Sequence, residues 1–459
     1  MDAVRSKLII SAAVILVMIA GVGLVGTTSA EDDPVEGMMI DFGYWDVSWI
    51  EMKFQEGMDG YDALRAACVI AGYKVVFRED GSISSINGQS NLENISWGMY
   101  VTGDGGKWVA AEPKEIDASD HRLLCFSRST GADTAMPGTD GTGFSYYDYA
   151  RDGTSASTGE PLRIVTLAPS VTETICAVGG FQYIIGTDLY SNYPQEIVDG
   201  RSDGTIAVTG GYTDPNYEYI VRLAPDIVFC DGGAGEHLSM ADKLRKSGVN
   251  CVVLYNCTDV NTLYNNMWIA ASALGLSENA NSVINNIRHT IDTVSGIAGM
   301  TNKRVFSALS ADPSPWTSGS NTFMSDIIAL SGGRNVFDSQ SSSWFMVSKE
   351  QIYKKQPRVI IVMSTKEVTT EERYQEILDS LDPLWKQTPA YENGDVYVFS
   401  GKAADIFQRP GPRLSEATEL LCKCLNAEAF TAKDPLDSIP RYFGDDYAAY
   451  LSYQTEVFR

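Results

Sequence analysis

Histidine is nearly absent: His121, His237 and His289 are the only three, and they are widely scattered. The cysteines Cys68, Cys125, Cys176, Cys230, Cys251, Cys257, Cys422 and Cys424 include no pair at C-x-x-C spacing. Without such ligands in close series, a structural zinc site is not expected. Positive charge is also scarce, with 35 Lys and Arg against 59 Asp and Glu and a formal net charge of -24. Nothing in so acidic a chain replaces phosphate counterions over a broad face, which argues against nucleic acid as a partner. Neither a nucleophile–base motif nor a phosphate-cradling glycine loop is present, so no catalytic residue, no cofactor and no enzymatic activity are expected. The acidity serves solubility and suits a basic partner surface.

What is present is length and apolar content. The 459 residues allow two or three domains with separate cores, and 44% hydrophobic residues exclude wholesale disorder. A continuous apolar run, residues 8–26, follows Arg5 and Lys7 and ends at Thr-Ser-Ala30. Residues 1–30 therefore read as an export signal or a retained membrane anchor, and place the chain outside the cytoplasm, at the cell surface or in the periplasm. The first cysteine after the run is Cys68, so a lipidated cysteine is not indicated. In an exported protein an even cysteine count permits disulfides, and Cys68–Cys125 is the candidate bridge of the first domain.

Residues 36–128 alternate apolar and polar positions in short runs between turns, as in Lys74-Val-Val-Phe, Ser82-Ile-Ser-Ser-Ile-Asn-Gly and Trp97-Gly-Met-Tyr-Val-Thr-Gly. One helix is expected from Tyr61 to a closing Gly72, which makes a small β-rich α+β domain. Residues 129–160 are rich in Gly, Ser, Thr and Asp and suit a flexible tether. From Pro161 strands alternate with helices: Arg163-Ile-Val-Thr-Leu, Pro169 to Gly179, Tyr183-Ile-Ile-Gly186, Asp226-Ile-Val-Phe and Cys251-Val-Val-Leu. A long helix is expected over 277–297. Alternation then resumes at Arg304-Val-Phe-Ser, Arg358-Val-Ile-Ile-Val and Asp395-Val-Tyr-Val-Phe. The order predicts two Rossmann-like α/β lobes, 161–275 and 303–428, bridged by that helix. Residues 429–459 are expected to be a helical C-terminal extension.

One spacing occurs twice. Tyr212-Thr-Asp-Pro-Asn-Tyr-Glu218 leads to Pro225 and an apolar strand, and Trp344-Phe-Met-Val-Ser-Lys-Glu350 leads to Pro357 and another. Two half-molecules on one plan would each offer an aromatic side chain and a carboxylate. Glu218 and Glu350 fall in the first turn of expected helices, where a carboxylate also stabilises the helix locally.

Two resemblances bear on these residues. Gly57-Met-Asp-Gly-Tyr-Asp-Ala-Leu, Ser85-Ile-Asn-Gly and Trp97 to Gly103 resemble the small C-terminal domain of the transcobalamin and intrinsic-factor family, which contributes to corrinoid binding. Residues 161–428 resemble the cobalamin- and siderophore-type substrate-binding proteins of ABC importers, closest to the vitamin B12-binding branch. The resemblance rests on Arg163 to Glu173, Gly186-Thr-Asp-Leu-Tyr190-Ser-Asn-Tyr193-Pro, Leu223-Ala-Pro-Asp-Ile-Val, Pro315-Trp-Thr-Ser-Gly319, Gly332-Gly-Arg-Asn-Val-Phe337 and Trp344 to Glu350. It implies the class III periplasmic-binding-protein fold and a corrinoid cargo delivered to a permease. Tyr190, Tyr212 and Trp344 match aromatic ligand contacts of the B12-binding relatives, with Trp316 as a further wall; the bland alternative for all four is core packing. Phe407 and Arg409, in the Phe407 to Arg413 loop, either reach the cleft or belong to a proline-stiffened connection. Glu218 and Glu350 match the glutamates that dock on permease arginines. Cys230 stands where an aromatic is expected, and His237 reads as a surface-loop histidine, with contact to the ligand or its cobalt as the alternative. These departures keep open a ferric siderophore or heme as alternative cargo, although few arginines lie near the motifs. A surface adhesin or scavenger that recognises through its first domain is a third reading.

Overall fold

The short alternating runs before residue 130 fold as expected for a β-rich unit. The computed structural model describes residues 37–43, 46–91, 96–102, 108–121, 123–129, 150, 151, 153–155, 158–431 and 439–454. The N-terminal part consists of β1 (Gly37–Gly43), β2 (Asp46–Glu51), α1 (Gly60–Ala71), β3 (Val75–Phe77), β4 (Ile83–Ile86), β5 (Gln89–Ser90), β6 (Ser96–Thr102), β7 (Trp108–Ala111) and β8 (Leu123–Ser129). Five strands form a sheet in the order β2-β1-β8-β6-β7, and β3-β4-β5 form a second. Helix α1 begins where the Asp59 carboxylate accepts the Asp62 N–H at 2.8 Å and ends at Gly72, whose φ of 70° suits a residue without a Cβ. Residues 1–30, the expected signal or anchor, and 130–149, most of the expected tether, lie outside the described residues. Among the described residues, no helix is long and apolar enough to cross a membrane.

After a short hairpin, β9 (Ala150–Arg151) and β10 (Thr154–Ser155), the pattern becomes strand then helix. The first lobe runs β11 (Ile164–Thr166), α2 (Pro169–Ala177), β12 (Ile184–Thr187), α3 (Gln195–Asp203), β13 (Ala207–Val208), α4 (Tyr217–Arg222), β14 (Ile227–Asp231), α5 (Gly235–Lys246), β15 (Asn250–Leu254) and α6 (Val260–Leu274). Its strands are all parallel, in the order β13-β12-β11-β14-β15. Helix α7 (Ser277–Ala298) leads to the second lobe. Its buried Ala280, Ile284, Ile287, Ile291, Val294 and Ala298 recur every three or four residues and form one apolar stripe. At 22 residues, it is about 33 Å long at 1.5 Å per residue.

The second lobe runs β16 (Arg304–Ala308), β17 (Trp316–Ser318), α8 (Phe323–Leu330), β18 (Arg334–Asn335), β19 (Trp344–Met346), α9 (Lys349–Lys355), β20 (Val359–Ser364), α10 (Glu371–Ser380), α11 (Pro389–Glu392), β21 (Val396–Ser400), α12 (Gly401–Gln408), α13 (Leu414–Leu425), α14 (Ala427–Thr431) and β22 (Tyr442–Phe443). Its parallel sheet has the order β18-β16-β20-β21-β22. Every residue of β20 and β21 is buried, as in a parallel strand covered on both faces. Two α/β lobes bridged by a long helix, behind a β-rich unit, are therefore the fold.

The tail corrects one expectation, because beyond α14 the described C-terminal residues are not mainly helical. Tyr442 and Phe443 instead add a strand beside β21, and the Phe443 ring stacks on Phe399 at 5.0 Å. A buried ion pair, Lys423 Nζ to Glu419 Oε1 at 2.8 Å, then receives the segment from Tyr450 to Tyr453. Glu419 accepts the Ser452 and Tyr453 N–H groups, while Lys423 donates to the Tyr450 carbonyl.

The expected Cys68–Cys125 bridge is absent. All eight cysteines are free thiols; Cys68 packs in α1 and Cys125 in the middle of β8, both buried, and burial pushes both thiols up. The thiols of Cys230 and Cys251, on neighbouring strands, lie 3.4 Å apart, a proximity that sequence reading did not identify.

Candidate ligand cleft

Strand order marks a candidate site. In the first lobe the chain reverses direction across the sheet between β11 and β14, and in the second between β16 and β20. Ligands of open parallel sheets bind outside the carboxyl ends of the strands at such switch points. The segments found there are Leu167 and Ala168 between β11 and α2, Gly232–Ala234 between β14 and α5, and Leu309–Pro315 between β16 and β17.

On the first lobe, Tyr190 follows β12 and is 57% exposed, unusual for so large a ring. Its loop is tied down by the buried Asp188 carboxylate, which accepts the Tyr190 N–H at 2.7 Å and the Ser191 hydroxyl. Burial raises the Asp188 carboxyl above its usual range, against the pull of those two hydrogen bonds and of Arg409 and Arg201. Leu189 and Val208, which sequence reading missed, are also exposed beside it.

Tyr212 is half-buried, and its hydroxyl donates to Asp231 Oδ2 at 3.0 Å. His237 is not the surface-loop residue expected. It lies in the first turn of α5 with no exposed surface; its Nδ1 accepts the Asp231 N–H at 3.0 Å, and its Nε2 bonds the Tyr212 carbonyl at 2.7 Å. Nδ1 as acceptor leaves the proton on Nε2, so the neutral ring satisfies both bonds. The Tyr212 and His237 rings meet at 5.0 Å. Asp231 and His237 thus hold Tyr212 from two sides. Burial, and then the Asp231 charge, push the Tyr212 phenol well above its ordinary range.

On the second lobe, β17 and β19 form an antiparallel pair in which Trp316 faces Met346 and Ser318 faces Trp344. Trp316 is 49% exposed and Met346 60%, so the pair presents an apolar platform whose methionine half was not anticipated. Trp344 is partly buried, with its ring 5.7 Å from that of Phe323.

Phe407 requires a correction. It lies in α12 rather than a loop and is completely buried, its ring 4.4 Å from that of Phe399. Phe407 is a core residue because α12 turns its apolar face onto β21. Arg409, just beyond, does reach the lobe interface. It is ion-paired to Asp405 at 2.9 Å and to Glu173 at 3.5 Å, and it hydrogen-bonds Asn192 Oδ1 and the Tyr190 carbonyl across the cleft. Behind it, Arg413 holds Glu173 with two bonds, Nε to Oε2 at 2.9 Å and Nη2 to Oε1 at 2.6 Å. The Arg413 guanidinium also lies 4.1 Å from the Tyr193 ring centroid. Glu173 belongs to the first lobe and Arg413 to the second, so this buried pair joins the lobes.

Glu416, in the first turn of α13, accepts from the Tyr447 hydroxyl. Burial outweighs that bond and the neighbouring Arg413, and raises the Glu416 carboxyl to about 7 from 4.5. A carboxyl with a folded pKa above its unfolded value binds more protons in the folded chain. Its stabilisation is complete below pH 4.5 and is lost as pH rises through about 7. Glu416→Gln should therefore match the parent stability near pH 4.5 and exceed it above pH 7, as read from urea midpoints across that range. A difference that does not vary with pH would refute this.

Glu218 and Glu350 are exposed in the first turns of α4 and α9. Asn216 caps the first helix, and Ser348 with Gln351 forms a capping box on the second. The Glu350 carboxyl is held below its usual range by its own backbone N–H and then by the Ser348 hydroxyl. Neither glutamate is the cap, so each carboxylate remains open to solvent.

Residues 164–403, more than half of the chain, match the family described as periplasmic binding protein. An uncharacterized ABC transporter substrate-binding lipoprotein of Bacillus subtilis (strain 168) is 24% identical over 276 residues, which cover 59% of this chain and 82% of that protein. The vitamin B12-binding protein of Yersinia pestis (strain Pestoides F) is 25% identical over 262 residues, 57% of this chain and 85% of its own. A periplasmic heme-binding protein from Pseudomonas aeruginosa shares the fold with a TM-score of 0.51 at 19% identity, over 58% of this chain and 93% of that one.

Proposed function

The chain belongs to the periplasmic binding protein family and is the substrate-binding component of an ABC transporter of the B12, heme and siderophore type; we propose that its cargo is cobalamin or a related corrinoid. Its relatives are solute-binding proteins rather than enzymes. The observation that carries the reading is the set of exposed apolar side chains on both lobes, Tyr190 facing solvent from one and Trp316 with Met346 from the other. A corrin is a wide apolar disc edged with amides, and such a ligand suits broad aromatic walls with a few polar groups between them. Tyr212 and Trp344 extend those walls, and Arg409 offers donors at the lobe interface. Asp231 favours the corrinoid over heme, because a phenol hydrogen-bonded to a carboxylate resists becoming the anionic oxygen that ferric iron prefers.

The remaining parts fit the same role. Glu218 and Glu350 dock on arginines of the permease, and the loaded protein works outside the cytoplasm. Residues 36–128, through their resemblance to the transcobalamin domain, point to the same ligand class. Titration with cyanocobalamin, followed by calorimetry and the visible spectrum, tests the proposal; no binding at micromolar ligand overturns it. Trp316→Ala is expected to weaken corrinoid binding about tenfold to a hundredfold, as truncation of an aromatic anchor does. Its thermal midpoint should hardly change, because half of the ring is already in solvent. An unaltered dissociation constant would remove Trp316 from the site.

A further inference from the structure

Beside Tyr190 the cleft continues into a pocket of ≈ 470 Å³. Val198, Arg201 and Ser202, three and four residues apart and so on one face of α3, form a wall of it. Leu189, Tyr190 and Val208 give it an apolar rim, and Arg409 closes it from the second lobe. Arg201 differs from the other cations of the cleft. Arg409 is paired with Asp405 and Glu173, and Arg413 with Glu173. Arg201 has no ion-pair partner among the described residues. Its Nη1 donates to the Ser191 carbonyl, whereas its Nε is buried without a hydrogen-bond partner. Asp188, whose charge it feels, is committed to the Tyr190 N–H and the Ser191 hydroxyl instead. In a chain with 59 acidic residues, this partly buried guanidinium has been left without a carboxylate, against a cavity.

We propose that Arg201 recognises an anionic group of the cargo, a phosphate or a carboxylate, in the pocket beyond Tyr190. The proposal rests on the reading of this cleft as the ligand site. The planar guanidinium matches both kinds of oxyanion, and bidentate, charge-assisted bonds of this kind are the stronger ones. The two sources differ in chemistry. A complete cobalamin carries a phosphodiester in its nucleotide loop, and a heme carries two propionate carboxylates. The apolar rim would cover the ring or loop that brings the anion in.

The test pairs each source with a counterpart that lacks the anionic group: cobalamin with cobinamide, which lacks the phosphodiester together with the rest of the nucleotide, and heme with its dimethyl ester. Dissociation constants are measured for the full chain, Arg201→Met and Arg201→Lys. The parent should prefer the member that carries the anionic group by about tenfold or more, the range of one charge-assisted contact. Arg201→Met should abolish the preference by weakening that member alone, and Arg201→Lys should retain part of it. Corrinoid binding with a preference that survives in Arg201→Met, or with none in the parent, overturns the Arg201 assignment and leaves the corrinoid reading intact. An Arg201-dependent preference found only with the porphyrins does the reverse. Failure of all four ligands to bind overturns both.

Discussion

Replacing Arg413 by methionine is expected to destabilise the folded chain by about 3 to 5 kcal/mol, because Glu173 would remain buried as an unpaired charge. Both side chains are only 1% exposed, so solvent cannot rescue the carboxylate. Arg409 cannot take over, since its nearest contact with Glu173 is 3.5 Å and it is already held by Asp405 at 2.9 Å. Chemical denaturation should show the loss directly, and the thermal midpoint should fall by about 2 °C or more per kcal/mol. Glu173→Met with Arg413→Met should recover much of the stability, because a hydrophobic pair of similar volume needs no desolvation of charge. The ion pair also fixes the distance between the lobes, so the recovered double variant should still bind ligand less well than the parent. A loss below about 1 kcal/mol in the single variant, the range of an exposed ion pair, would show that the interaction is not the buried clasp seen here.

The parts legible in the sequence are those governed by local periodicity. Parallel strands such as Val359–Ser364 are continuous apolar runs because both faces are covered, and α7 shows its stripe at three- and four-residue intervals. Illegible features depend on which loops meet. His237 follows Asp231-Gly-Gly and looks like part of an exposed turn; only the return of the Tyr212 loop buries it and gives its ring two partners. Phe407 precedes a Pro-Gly-Pro segment and looks like loop, yet α12 extends far enough to face it inward onto Phe399. Met346 lay inside the Trp344 to Glu350 stretch but was not singled out, since its exposure follows from pairing opposite Trp316. Tyr442 and Phe443 form a strand only because β21 offers a free edge, which no local pattern reveals. Arg201 stands in a largely polar helix and could not be distinguished from a solvated surface charge until the pocket was placed beside it.

Glu218→Ala combined with Glu350→Ala is expected to reduce corrinoid uptake by about tenfold or more while leaving the dissociation constant of the ligand unchanged. Each carboxylate is exposed and lies in the first turn of a short helix whose cap is another residue, so its removal spares the helix. A charge-assisted hydrogen bond to an arginine contributes about 1.5 to 3 kcal/mol, enough for one to two powers of ten at each contact. Each single variant should therefore fall between the parent and the double variant. Charge pairs at a rim act largely on encounter rate, so the parent's docking should weaken as salt rises, and that dependence should flatten in the double variant. Glu218→Lys with Glu350→Lys should be worse than the alanine pair, because repulsion replaces a missing attraction. Uptake in cells carrying the cognate permease, measured beside calorimetric ligand binding by purified variants, separates the two activities. Loss of ligand affinity in the alanine variants would place these glutamates in the cleft, and full uptake by the double variant would remove them from the docking surface.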